Sequence, residues 1–272
     1  MPEVIEVECM GRQLATWLVG APLVQVRPLS EGVLRGWGDE ASAEVVGVTV
    51  VGVHRRGKVL WLALGNGGGF VIHFGMTGRV LCAQPVLRPW VHLILEVEGR
   101  SPVWWQDMRR LGSWRFVRGV ASPEAILSRE VNGRDVLSSP PDGADLARLL
   151  GASRRPIKVA LMDQDKLAGL GNIYAVESLF EAGIHPRRPC HRLSAPEWEK
   201  LARVIPRVLA VSLAREEGGE ILYVNEGGHS SPFAIYGHAG SPCPRCGARL
   251  QKGVLAGRGT VWCGVCQPEV GS

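Results

Sequence analysis

The 272-residue sequence predicts an α+β multidomain protein: an N-terminal helix with an antiparallel β-sandwich, then a helical domain, then a small C-terminal finger. Three observations predict it. Short β-branched and aromatic runs, separated by Gly-rich or polar turns, fill the region from about Val24 to Val120. After about Val131 the apolar spacing becomes helical. Near the C-terminus, four of the seven cysteines gather as C-x2-C, sixteen residues, then C-x2-C.

Val4, Val7, Leu14, Trp17 and Leu18 recur near helical spacing, and Gly20 and Pro22 end the run. The chain therefore opens on an amphipathic helix between Glu3 and Val19. VVGVTVVGVHR, KVLWLALG, GFVIHF, WVHLILEV, PVWWQDM and SWRFV are the candidate strands, with GNGGG and EGRS as turns. SSPPDGAD breaks structure, ADLARLLG reads as a helix, and IKVALMDQDKLAGLGNIYAVESLFEAGI reads as two helices joined by a Gly-containing turn. Ser194 and Glu197 form an S-x-x-E capping box that opens a longer helix. Pro206 inside that helix predicts a kink or the end of its first half. These breaks divide the chain into domains at 1–131, 132–225 and 232–268.

Hydrophobic residues at 46 % can fill a core, and charged residues at 21 % exclude a disordered chain. No apolar run approaches the ~18 residues of a membrane span. The start MPEVIEVECM lacks the apolar region of a secretory signal, so a cytoplasmic chain is expected. The net charge of +5 is compatible with nucleic-acid binding without requiring it.

In a reducing compartment, clustered cysteines read as a metal site rather than as disulfides. Two C-x-x-C pairs complete a tetrahedral shell with no open position for water. Cys243, Cys246, Cys263 and Cys266 thus predict one structural zinc ion. KGVLAGRGTVW, between the pairs, predicts a β-hairpin around Gly257 with Arg258 at or near its tip, suited to gripping a phosphate. Cys9, Cys82 and Cys190 are scattered elsewhere.

Five segments, in order, resemble the formamidopyrimidine-DNA glycosylase / endonuclease VIII family of base-excision repair enzymes. They are MPEVIEVE, RRGKVLWL, the pair HFGMTG and DMRRLG, DQDKLAGLGNIYAVESLFEAGIHP, and IYGHAGSPCPRCG with GRGTVWCGVCQ. The resemblance implies a catalytic N-terminal domain, a helix–two-turn–helix domain and a zinc finger. It implies a monomer associated with the nucleoid, with double-stranded DNA carrying damaged bases or abasic sites as partner. The implied activity is that of a bifunctional DNA glycosylase and abasic-site lyase, with oxidised purines such as 8-oxoguanine and formamidopyrimidines favoured.

The N-terminal chemistry has its own logic. An α-amino group titrates near ~8, well below lysine at ~10.4, so the amine of Pro2 is partly unprotonated at neutral pH once Met1 is removed. A secondary amine can attack a sugar C1′ and form an iminium. The resemblance implies that Pro2 does so, that Glu3 is a general acid/base, that Lys58 contacts the phosphate, and that β,δ-elimination follows. Glu6 matches a further N-terminal acid, and the helix dipole favours it equally. The resemblance also implies that Met76, Arg109 and Leu111 fill the space left by an extruded base. Lys158, Asn172, Tyr236 and Arg258 match DNA-backbone contacts.

Four departures bear on the lesion. Ile5 stands where the family has proline, Leu111 where the oxidised-purine branch has phenylalanine, and His238 where arginine or lysine is common. The segment ILYVNEGGHSSPFAIYG is short for a loop covering a flipped purine. Two alternatives therefore stay open: an oxidised-pyrimidine glycosylase of the same family, and a non-catalytic damaged-DNA-binding homologue.

Overall fold

The computed structural model describes residues 2–82, 90–216 and 231–269. Two compact units divide the chain, Met1–Val131 and Asn132–Ser272. The first part of the short segment before the finger, 221–230, lies outside the described residues, as does the stretch 217–225 at the end of the expected helical domain.

The first unit opens with α1 (Val4–Leu18), capped by Glu3. Val4, Ile5, Val7, Met10, Leu14 and Leu18 are fully buried along its inner face. The first turn of a helix makes no intrahelical N–H bond, so it tolerates proline and isoleucine alike. Ile5 there adds buried apolar surface without disturbing the backbone. Gly11 lets the helix come close: a Cβ at that position would lie 3.1 Å from the Leu60 side chain.

Two sheets follow. β1 (Leu23–Pro28), β7 (Val91–Val97), β8 (Val103–Asp107) and β6 (Gly78–Leu81) form one, in that order. β2 (Leu34–Arg35), β9 (Ser113–Val117), β5 (Gly69–His73), β4 (Val59–Leu64) and β3 (Val50–Arg56) form the other. Pairing is antiparallel throughout except for the short β2–β9 contact. Rings from the two sheets meet: Trp105 of β8 lies edge-on to Trp114 of β9 at 5.6 Å, and Phe74 lies 5.1 Å from Trp105. Every residue of β4 is buried. It therefore reads as a continuous apolar run rather than an alternating one. Two short helices are not separable from the strand region by periodicity, α2 (Asp39–Val45) and α3 (Pro123–Glu130). The second carries its start signal in the sequence, since Ser122 caps the Ala125 N–H and Pro123 occupies the first turn.

The second unit contains α4 (Gly143–Leu150), α5 (Ile157–Leu161), α6 (Asn172–Ala182) and α7 (Ala195–Glu216). A two-residue parallel bridge joins β10 (Arg134–Asp135) to β11 (Leu167–Ala168). α6 stops at Gly183, which takes the left-handed conformation that glycine allows (φ 70°). At the start of α7, the Glu197 carboxylate accepts from the Ser194 N–H at 2.8 Å, as the capping box predicts. The helix runs on through Pro206 instead of ending there. Leu201, Ala202, Val204, Ile205 and Leu209 are buried on both sides of it, and that packing outweighs the lost backbone bond. The C-terminal hairpin is β12 (Gln251–Leu255) paired with β13 (Arg258–Trp262). No helix among the described residues is long and apolar enough to cross a membrane.

Candidate functional site

In the first unit, Pro2 and Glu3 are buried where the chain enters α1. Glu6 reaches back so that its carboxylate accepts the Glu3 N–H at 2.7 Å, within a reciprocal capping box. Glu6 thereby holds the helix start and the backbone of Glu3. Lys58 lies not within a strand but in the two-residue turn between β3 and β4, half-buried, beside Gly57. Gly57 takes positive φ (56°), which a two-residue hairpin turn requires at its first position.

Arg55 joins these two places. Its side chain is 7 % exposed, and its Nε donates to Glu8 of α1 at 2.7 Å. Its Nη1 donates to the Gly57 carbonyl at 3.1 Å. Burial alone would raise the Glu8 carboxyl, but hydrogen bonds and charge from Arg55 and Arg12 outweigh it and hold the group below its ordinary value. The helix that Pro2 and Glu3 lead into and the turn that carries Lys58 thus share one brace.

His73 stands at the end of β5, across from Val59. Partial burial, and then the charge of Lys58, hold its imidazole below the ordinary value. Its Nδ1 accepts from the Gly75 N–H at 3.1 Å, which leaves the proton of the neutral ring on Nε2. Lys58 and His73 together offer donors to an anion.

Met76, Arg109 and Leu111 occupy two loops that run side by side. One joins β5 to β6 and the other joins β8 to β9, so each crosses from one sheet to the other. Both are framed by the same strand pairs, His73↔Ser113 and Gly78↔Asp107. A Cβ on Gly75 would lie 2.5 Å from the Gly112 nitrogen, so the two backbones touch where only glycine fits. Met76 is half-buried on its loop rather than packed in the core, and it accepts at Sδ from Arg109 Nη1 at 3.0 Å. Leu111 is 52 % exposed. Arg110, between the two, is held at φ 53°, a left-handed conformation unusual outside glycine.

In the second unit, Asn172 is the first residue of α6, while Gly171 is its cap. The Asn172 side chain instead donates from Nδ2 to the Gly259 carbonyl at 2.9 Å. Lys158, on α5, is fully buried, and its Nζ donates to Thr260 Oγ1 at 2.8 Å. Both side chains converge on the base of the hairpin tip. Ala256 and Gly257 form that tip, both at positive φ (47° and 73°), the pattern of a type I′ turn. Arg258, next to it, is exposed. Tyr236 is half-buried, and its N–H is one of three backbone donors to the Glu177 carboxylate, with those of Ala234 and Ile235, all at 2.8–2.9 Å. The His238 ring pairs with the Ser231 carbonyl at 3.0 Å, so it is turned toward its own loop.

The four Sγ atoms of Cys243, Cys246, Cys263 and Cys266 lie within 4.8 Å of one another. Cys246 and Cys263 are 3.5 Å apart, and Cys243 and Cys266 are 3.9 Å apart. A tetrahedron with Zn–S bonds of ~2.3 Å has edges of about 3.8 Å, so the cluster fits one zinc ion. Burial and the three neighbouring sulfurs push the Cys266 thiol up to about 12, and a bound dication is what allows all four to ionise. The finger packs on α6 through Val176 and Phe180, against Ile235 and Leu250. Arg245 of the first knuckle also donates to the Phe180 carbonyl at 3.3 Å and pairs with Glu181.

Sequence reasoning missed Arg55, His73, Asp107 and Glu177. All four lie inside the segments that carry the resemblance, but Arg55, Asp107 and Glu177 act through partners far along the chain, which local spacing does not show.

Three family models match successive parts of the chain. They describe the formamidopyrimidine-DNA glycosylase N-terminal domain over residues 1–114, the formamidopyrimidine-DNA glycosylase H2TH domain over 133–223, and a zinc finger found in FPG and IleRS over 240–268. The formamidopyrimidine-DNA glycosylase of Corynebacterium jeikeium is 34 % identical over 98 % of this chain and 100 % of its own. The crystal structure of the MutM (Fpg) protein from Thermus thermophilus superposes with a TM-score of 0.82 at 35 % identity, covering 99 % of this chain and 100 % of that one. Lactococcus lactis Fpg in complex with DNA containing an abasic site gives a TM-score of 0.84 at 27 % identity, over 98 % and 100 % of the two chains.

Proposed function

Since the chain belongs to the formamidopyrimidine-DNA glycosylase family, we propose that it removes oxidised bases from duplex DNA and then cleaves the strand at the resulting abasic site. The observation that supports this most is the brace in the first unit, where Glu8, Arg55 and Gly57 tie α1, entered through Pro2 and Glu3, to the turn of Lys58. Nucleophile, acid and cation then belong to one rigid frame, as covalent amine catalysis needs.

With Met1 removed, the Pro2 nitrogen attacks C1′ and forms a C–N bond while the glycosidic bond breaks. The departing base takes up the proton that the Pro2 amine loses, and Glu3 supplies a proton to the sugar ring oxygen as the C1′–O4′ bond breaks, which leaves an iminium between the Pro2 nitrogen and C1′. The iminium acidifies C2′, which loses its proton, and the electron pair expels the 3′ phosphate; the 5′ phosphate follows. Lys58 stabilises the phosphate charge, and His73 adds its Nε2 proton as a second donor.

In the second unit, Arg258 and Asn172 grip phosphates, with Tyr236 beside them, and Lys158 fixes the hairpin from below. Oxidised purines are the proposed substrates, consistent with the name borne by the relatives. The exposed Leu111 plugs the duplex without aromatic stacking.

The test is borohydride trapping on a duplex with one abasic site. Protein verified to start at Pro2 should form a covalent adduct that Pro2→Gly diminishes. Tight binding with no adduct would make the chain a non-catalytic damage binder. A panel of duplexes bearing 8-oxoguanine, formamidopyrimidine or an oxidised pyrimidine assigns the lesion, and excision confined to the pyrimidine would refute the purine preference.

A further inference from the structure

The two loops that carry Met76, Arg109 and Leu111 are joined by one side chain. The Thr77 hydroxyl sits on the first loop, and its two hydrogen bonds go to the second loop and to Asp107, the last residue of β8, from which that loop starts. It accepts the Arg109 N–H at 3.0 Å and donates to Asp107 Oδ1. Asp107 is fully buried and organises the rest of that loop. Its Oδ2 accepts the Gly112 N–H at 2.7 Å, its Oδ1 lies 3.3 Å from the Arg109 nitrogen, and its backbone carbonyl pairs with His92 Nε2 at 2.9 Å. The same carbonyl accepts the N–H of Arg110, the residue held left-handed, at 3.3 Å. Thr77 thus bonds to the network that holds the second loop in its strained form, while the side chain before it, Met76, touches Arg109.

We propose that Thr77 is a positioning residue that locks the two loops together, so that Met76, Arg109 and Leu111 enter the duplex as one unit. It touches no reacting atom. Its effect falls on extrusion of a paired base, where all three side chains must fill one space at once. Strand cleavage at a preformed abasic site has no base to extrude and depends on the lock much less. The inference rests on the glycosylase reading above, but the lock itself is a property of the DNA-free protein.

The experiment compares full-length wild type, Thr77→Val, which keeps the shape and loses the hydroxyl, and Thr77→Ser, which keeps the hydroxyl. Amide hydrogen exchange in the DNA-free protein reads the lock. Single-turnover excision from a base-paired lesion duplex, set beside cleavage of a preformed abasic duplex, reads its consequence. Loss of both hydrogen bonds should speed exchange across 108–112 by about 25-fold in Thr77→Val, and slow excision by about the same factor. Abasic cleavage should change less than about twofold, and Thr77→Ser should restore both readouts. Wild-type exchange in Thr77→Val overturns the lock. Equal losses of excision and abasic cleavage, or no rescue by serine, overturn its role in extrusion. A wild-type protein that excises nothing refutes the glycosylase reading, and the exchange measurement still decides the lock.

Discussion

Replacing Arg55 with methionine removes the brace between α1 and the Lys58 turn while keeping the length of the apolar stem. The magnitude follows from the surroundings. Breaking a fully buried ion pair costs about 3–5 kcal/mol, whereas an exposed one is worth about 0.5 kcal/mol. Arg55 is 7 % exposed and Glu8 22 %, and Glu8 keeps Arg12 at 2.9 Å after the change. A loss of about 2 kcal/mol is therefore expected near neutral pH. Its pH dependence has a definite sign. The Glu8 carboxyl titrates below its ordinary value of 4.5 in the folded protein, so its contribution is complete above that value and is lost as pH falls through the lower folded one. The penalty of Arg55→Met should thus shrink as pH drops from about 6 to below 4. Urea unfolding of wild type, Arg55→Met and Glu8→Gln across that range measures it, and the abasic-site adduct rate should fall with the variant at neutral pH. A penalty that stays constant down to the acid limit would refute the reasoning, because it would assign the loss to packing rather than to the ion pair.

In the second unit, Arg258→Ala should weaken duplex binding and lower the slope of log K against log salt by about 1, since an exposed guanidinium would release one phosphate counterion. Lys158→Met should weaken binding with no change in slope, because its ammonium bonds to Thr260 and not to solvent; a slope lowered by about 1 would make Lys158 a phosphate contact itself. Metal analysis should find one zinc per chain. Removing it by chelation or mild acid should free four thiols for titration and abolish duplex binding; retained affinity in the stripped protein would separate the finger from DNA recognition.

Some of this molecule was readable from its sequence for specific physical reasons. The four cysteines declare their site because each pair needs only two intervening residues, and α1 shows its apolar face within one local window. The run VLWLAL was readable as a strand but not as one buried on both faces, since what covers it comes from elsewhere in the chain. Lys158 matches a DNA contact by resemblance, and its ammonium also bonds to a threonine 102 residues away, a distance no periodicity reports. Glu177 reads as an ordinary helical acid, and only folding brings it to the amides of Ala234, Ile235 and Tyr236. Pro206 shows the reverse case, a strong local signal overridden by packing on either side.

The way the two crossing loops are built bears on how such a protein can change its lesion. Their backbone path is set by Gly75 against Gly112 and by the bonds to Asp107, none of which involves the side chain at position 111. Leu111 is half in solvent and supports no core, so its identity can drift without a stability penalty that selection would oppose. Position 111 is then an adjustable tip on a fixed mount. A lineage could exchange a stacking plug for an aliphatic one in a single step, leaving amine chemistry and phosphate grip untouched, and that separation would let related chains share one reaction while diverging in what they repair.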